Sequence, residues 1–165
     1  MNLGGGRIVP YPEPTSEAAS SIGHANRRVG TAPELQLRRE LHRLGLRYRV
    51  DQLVRAGDVR THPDLVFGPV RLALFVDGCF WHICPEHFHH PKTNLAYWEP
   101  KLKANMERDR RVDLALKQAG WKVLRIWEHE STDDAVALAL KTLSALGHSG
   151  AIRAAGVRQA IQQPG

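Results

Sequence analysis

Residues 63–82 read PDLVFGPVRLALFVDGCFWH, and the order of residue types within them decides the class of the fold. Two stretches, Leu65–Phe67 and residues 71–76, flank Gly68-Pro69, a dipeptide that favours a tight turn, and read as two joined strands. Residues 72–76 are apolar at every position, the pattern of a strand covered on both faces, so whatever lies at its end is held rigidly. What lies there is Asp77, Cys79, Phe80, Trp81 and His82, with Asp64 just ahead of the first strand. Such a cluster is good scaffolding for metal-dependent chemistry.

Working outward, Thr31-Ala32-Pro33-Glu34 opens a helix on the N-terminal side. Thr31 is placed as N-cap and Glu34 at the capping-box position, and Leu37, Leu41 and Leu44 follow at helical spacing until Gly45 stops it. Residues 48–50 read as a first strand, followed by a loop through Gly57. On the C-terminal side a helix is expected from residue 99 or 100 to 119, ending at Gly120. Leu102, Asn105, Asp109, Val112, Leu116 and Ala119 advance along it by threes and fours, so Asn105 and Asp109 continue an apolar stripe and need partners there. A strand over residues 121–127 and a last helix over 133–146 complete the domain. Alternating strands and helices of this kind predict an α/β fold with a mixed sheet flanked by helices.

The chain has 165 residues and is 42% hydrophobic, enough for one domain with a real core. Residues 1–25, rich in glycine, proline and serine, read as a flexible arm, residues 26–147 as the domain, and residues 148–165 as a loosely held tail. No apolar h-region or membrane-length stretch is present, so a soluble, cytoplasmic protein is expected. Two cysteines are too few for a secreted disulfide framework.

The net charge of +6 is unevenly spread. Seven arginines between positions 27 and 49 face two acids, and five bases between 101 and 111 face two more. Such stripes suit a polyanion such as duplex DNA, although a basic run by itself is more often the solvated face of a helix.

In order and spacing, the segments TAPELQLRREL, RYRVD, PDLVF, FVDGCFWHICPEH, PKTNLAYW, KLKANMERDRR and GWKVLRIWEHE resemble the very short patch repair endonucleases, bacterial enzymes that nick DNA at T·G mismatches. The resemblance covers roughly residues 26–130. It implies a restriction-endonuclease-like fold and nicking of one strand 5′ of the mispaired thymine. It further implies a monomer in the bacterial nucleoid, without membrane attachment, and a functional link to a cytosine-5 DNA methyltransferase and mismatch-repair proteins.

Hydrolysing a phosphodiester takes an anchored Mg²⁺ with hard oxygen ligands and a group that activates water. By resemblance, Asp64 is the metal-bridging aspartate, the main-chain carbonyl of Val76 is the second ligand, His82 is the catalytic histidine, and Asp109 is a supporting carboxylate. Asp77 stands where the best-known relatives carry a histidine, and is expected to orient His82 by a hydrogen bond rather than bind metal. Glu34 carries two readings, a helix-borne acid near the metals or a capping-box residue with no further role. Asp64 alone would also serve as a turn residue, and Asp109 alone as a partner on a solvated helix face.

Cys79, Cys84, His87 and His129 form a second constellation, whose two thiolates and two imidazoles suit a closed tetrahedral Zn²⁺ site. His89 and His90 rival His87, and a Cys79–Cys84 disulfide is the alternative. Phe80, Trp81 and Trp98 match aromatics that in the family wedge into the duplex beside the mispair, where unstacking is cheapest; simple core packing is the other reading. A nuclease of the same fold with different DNA specificity, and a zinc-stabilised DNA-binding module without catalysis, remain the competing functions.

Overall fold

The computed structural model describes residues 30–162. The arm expected over residues 1–25 lies outside them, as do Arg27 and Arg28 of the basic stretch. In chain order the elements are α1 (Ala32–Arg43), β1 (Arg49–Val50), β2 (Val54–Ala56), β3 (Val59–Thr61), β4 (Leu65–Phe67), β5 (Leu72–Asp77), α2 (Leu95–Gln118), β6 (Lys122–Trp127), α3 (Thr132–Ala145) and α4 (Ser149–Gln162).

Strands β1, β4, β5 and β6 form one mixed sheet in that order. The β1/β4 and β4/β5 pairs are antiparallel, and β5/β6 is parallel, with Leu74 opposite Leu124 and Asp77 opposite Trp127. Gly68–Val70 makes a 3-10 turn between β4 and β5 that closes at Arg71, whose φ of 48° places it in the left-handed region. The parallel pair needs a long crossover, and α2 supplies it.

Because successive side chains of a strand face opposite ways, the sheet buries two different sets. Leu65, Phe67, Leu72, Leu74 and Ile126 pack with Leu37 and Leu41 of α1 and with Val136, Leu140 and Leu143 of α3. On the other face Val66 and Ala73 pack with Val112 and Leu116 of α2 and with Val54, Ala56 and Val59 of the β2–β3 hairpin. The result is three layers: α1, α3 and α4, then the sheet, then α2 with the hairpin. Gly120, with φ of 77°, follows the C-cap of α2 and turns the chain into β6.

Three expectations need correction. The loop expected after residue 50 through Gly57 instead enters the β2–β3 hairpin, whose Val54, Ala56 and Val59 are buried. The helix expected to begin at residue 99 or 100 begins at Leu95, with Pro100 inside it. A proline sits most easily at the first helical position, but here its missing N–H costs a single bond near the helix start, and the extra turn carries Trp98. The supposed loose tail beyond 147 contains α4, held by Ala151 (0% exposed) and Ala154 (6%) against the α1–α3 core.

Candidate active site

Asp64 precedes β4, and its Oδ2 accepts a hydrogen bond of 2.7 Å from the main-chain N–H of Val76 on β5. On β5, Ala73, Phe75 and Asp77 face α2, so Asp77 projects towards that helix from the strand end. The chain then turns: the N–H of His82 donates to the carbonyl of Gly78 at 3.1 Å. The turn aims the imidazole at α2, where His82 Nδ1 meets Asp109 Oδ2 at 2.5 Å. Asp64, Val76, Asp77, His82 and Asp109 all line one cavity of about 470 Å³. Arg60 of β3, Arg108 and Arg111 of α2 and Arg125 of β6 also line it, setting positive charge beside the carboxylates.

The carboxylates around this cavity are differentiated by their surroundings. Burial pushes Asp64 up to about 6; the Val76 N–H opposes the shift, and Glu34, Asp77 and Asp51 reinforce it. Burial also raises Asp77, against the pull of Arg125 and His82. For Asp109, burial acts upward too, but the hydrogen bond and charge of His82, with Arg125 and Arg108, prevail and hold it low. A largely buried carboxylate amid other carboxylates, with no ion pair to it among the described residues, fits a hard divalent cation held by oxygen.

Asp77 departs from expectation. Both its oxygens accept from Arg125 Nη1, at 2.8 and 2.9 Å, while its nearer oxygen stands 3.9 Å from His82 Nδ1, too far for a hydrogen bond. The half-buried guanidinium of Arg125 claims it, and Asp109 is the residue bonded to His82. Glu34 does not line the cavity. It is 1% exposed, and accepts from the Gly30 N–H at 2.6 Å and from Arg38 Nη1 at 3.1 Å. Capping is thus one residue off the ordinary box, and Thr31 makes no side-chain cap bond. Glu34 is nonetheless close enough to act on Asp64 through its charge, so both readings of it keep support.

The ligand atoms of Cys79, Cys84, His87 and His129 all lie within 4.8 Å of one another. His129 Nδ1 is 3.1 Å from Cys79 Sγ and 3.6 Å from Cys84 Sγ, and His87 Nδ1 is 4.0 Å from Cys84 Sγ. Tetrahedral zinc with mixed sulfur and nitrogen ligands has edges of about 3.3–3.8 Å, so this quartet could hold a metal with little adjustment. Neither cysteine is in a disulfide. It is His87, not His89 or His90, that joins the group; the His90 ring packs on Phe88 instead, 4.8 Å between centroids. Glu128 Oε1 accepts from the Cys79 N–H at 2.6 Å, tying the loop to the end of β6.

Phe80, Trp81 and Trp98 gather into one cluster, each ring 5.2–5.7 Å from the other two. All three are partly exposed, and they belong to neither core. Lys101 Nζ lies 5.6 Å from the Trp81 ring and 5.9 Å from that of Trp98. Asn105 donates to the Trp81 carbonyl at 3.3 Å, which accounts for a polar residue on the α2 stripe. Trp121, by contrast, packs on the α2-side core.

Arg125, Arg60 and His62 were not singled out from the sequence. The signal for Arg125 was a base flanked by Leu124 and Ile126 in a strand facing a helix, a placement that demands acid partners. Arg60 and His62 depended on the unforeseen hairpin.

The family described as DNA mismatch endonuclease Vsr has a sequence model that matches residues 15–88. The chain is 53% identical over 139 residues, 84% of each chain, to the Type II nicking enzyme V.NaeI of Lentzea aerocolonigenes. It is 34% identical over 134 residues, 80% of this chain and 88% of the other, to the Type II nicking enzyme V.NmeDIP of Neisseria meningitidis serogroup C. Over 104 residues, 59% of this chain and 61% of the other, it is 38% identical to the DNA mismatch endonuclease Vsr of Escherichia coli (strain K12).

Proposed function

The chain belongs to the Vsr family of DNA mismatch endonucleases and related nicking enzymes, and from that premise we propose that it cuts one strand of duplex DNA 5′ of the thymine in a T·G mispair. The observation that carries the reading is the shared cavity: Asp64, His82 and Asp109, from three separate parts of the chain, line one hollow edged by arginines. The mixed sheet with helices on both faces supports a restriction-endonuclease-like fold.

Asp64 and the main-chain carbonyl of Val76 would hold Mg²⁺, which when bound supplies Lewis-acid polarisation of the scissile phosphate. Asp109, held ionised, fixes His82 through Nδ1, which leaves Nε2 to exchange the proton with the attacking water or the departing oxygen. Arg60, Arg108 and Arg111 draw the phosphate chain into the cavity by charge. Glu34 and Asp77 act at longer range, adding to the negative potential at Asp64. Phe80, Trp81 and Trp98 form the wedge: rings partly in solvent beside the cavity-lining loop are suited to entering a base step, and a mispaired step yields at least cost.

Cys79, Cys84, His87 and His129 would hold Zn²⁺ as a structural ion that braces the loop carrying His82. The test compares labelled duplexes containing T·G or T·A at one position, with Mg²⁺ or EDTA, using D64A and H82A as controls. Mg²⁺-dependent nicking confined to the T·G duplex and lost in both variants is expected. Equal cutting of both duplexes would transfer the reading to a nuclease of other specificity, and binding without cutting to a zinc-stabilised module.

A further inference from the structure

Arg125 occupies a position on β6 that faces α2, with its Cζ 4.6 Å from the Phe75 ring centroid. Its Nη1 takes both oxygens of Asp77, and its Nε and Nη2 reach Asp113 at 3.1 and 2.9 Å. Nη2 also stands 3.8 Å from Asp109 Oδ1. One cation therefore serves three carboxylates. Two of these, Asp77 and Asp109, stand near the same atom, His82 Nδ1, at 3.9 and 2.5 Å, and only Asp109 is within hydrogen-bond distance of it.

We propose that Arg125 is a positioning residue for strand cutting: by occupying Asp77 it leaves Asp109 as the carboxylate bonded to the His82 imidazole and so fixes the orientation of the ring. Asp77 is only 4% exposed; Arg125 bonds it at 2.8 Å, and His82 Nδ1 lies 3.9 Å away. A buried carboxylate that loses its partner turns to the nearest donor, because an unmet buried charge is costlier than a rearranged side chain. Without Arg125 that donor is His82 Nδ1, and a single N–H cannot serve two carboxylates at full strength. The ring then divides its time between two orientations, and the proton-exchanging nitrogen leaves its productive place. Lysine cannot substitute fully, since one ammonium lacks the planar fork that reaches Asp77 and Asp113 together.

The inference rests on the reading of His82 as the proton-handling group, and its test separates the two. The zinc-loaded wild type, R125M, R125K and D77N/R125M are compared in single-turnover nicking of a T·G duplex and in duplex binding. The His82 ring is also observed in the DNA-free protein by long-range ¹H–¹⁵N correlation. R125M is expected to cut about 10–100-fold more slowly with duplex affinity little changed, the size typical of losing an orienting partner. D77N/R125M regains much of that loss because no charged competitor remains, and R125K falls between. The ring signal of His82, single in the wild type, broadens or splits in R125M and R125K and sharpens again in the double variant. Equal rates for R125M and D77N/R125M with an unaltered His82 signal would overturn the proposal and leave Arg125 a packing residue. Should R125M fail to fold, R125K and the double variant carry the same comparison. A wild type that nicks nothing refutes the function, while the ring signal still decides the positioning claim.

Discussion

His82 and Asp109 are joined by a 2.5 Å hydrogen bond although 27 positions separate them, one on the turn after β5 and the other midway along α2. The imidazole is thereby oriented by a helix that also packs on the sheet through Val112 and Leu116, so core packing is transmitted to the site. Replacing the carboxylate with an amide removes the charge while keeping the shape. D109N is expected to slow single-turnover nicking on the order of 10²-fold, within the range that a positioned acid–base group contributes. Duplex affinity in the same assay stays near that of the wild type, and parallel losses of both would sink the assignment.

Asp64 gives a prediction of opposite sign for stability and activity. Its carboxyl stands at about 6 in the folded chain against an ordinary 3.8. A raised carboxyl pKa is a cost to folding, complete above the folded value and absent below the unfolded one. Without Mg²⁺, D64N is therefore more stable than the wild type at pH 8, by on the order of 2 kcal/mol, and the advantage vanishes near pH 4. Thermal unfolding of both proteins at the two pH values checks it. Added Mg²⁺ raises the melting temperature of the wild type alone, and D64N does not nick.

The Cys79, Cys84, His87 and His129 quartet predicts about one bound zinc per chain. In C84S and H129A the zinc content, read by atomic absorption, drops well below that of the wild type, the melting temperature falls, and nicking falls with it. Burial and the neighbouring Cys84 thiol push the Cys79 thiol up to about 11 in the metal-free chain. Loading the apoprotein therefore releases protons, detectable in a weakly buffered indicator dye. A chain that purifies without zinc and melts no higher on its addition would remove this site.

Loss of one wedge ring changes selectivity more than chemistry. W81A is expected to lose about 1–3 kcal/mol of stacking at the mispair, read as lower affinity for the T·G duplex with little change for matched DNA. Equal weakening on both duplexes would return Trp81 to a packing role.

Helix α4 makes a separate test of the fold. Ala151 is fully buried where α4 meets the core, so A151L overpacks that contact and costs about 1–3 kcal/mol by chemical denaturation. An unchanged denaturation midpoint would show that α4 is not held there.

How far the sequence was legible follows from the strength of each local pattern. Strands β4 and β5 were plain because residues 65–76 combine apolar runs with a Gly-Pro turn. The hairpin was not, because three buried positions in strands of three residues each leave too short an alternation to notice. Helix α4 was obscured by Gly150, Gly156 and small alanines, which bury little area and draw no clear stripe. At the site, Asp64, His82 and Asp109 could be picked out individually, yet which carboxylate His82 would choose was not legible. That choice depends on Arg125, whose partners lie 12 and 48 positions away.

The segment from Cys79 to Trp98 holds both thiols, one of the quartet's two histidines at its centre, His82 and the three partly exposed rings, but its function is completed from elsewhere, by His129 after β6 and Asp109 on α2. Grafting that segment alone onto another nuclease would transfer the rings and lose both the fourth metal ligand and the tether of the imidazole. A chimera that takes residues 79–129 whole from one parent keeps the quartet and the tether of the imidazole together.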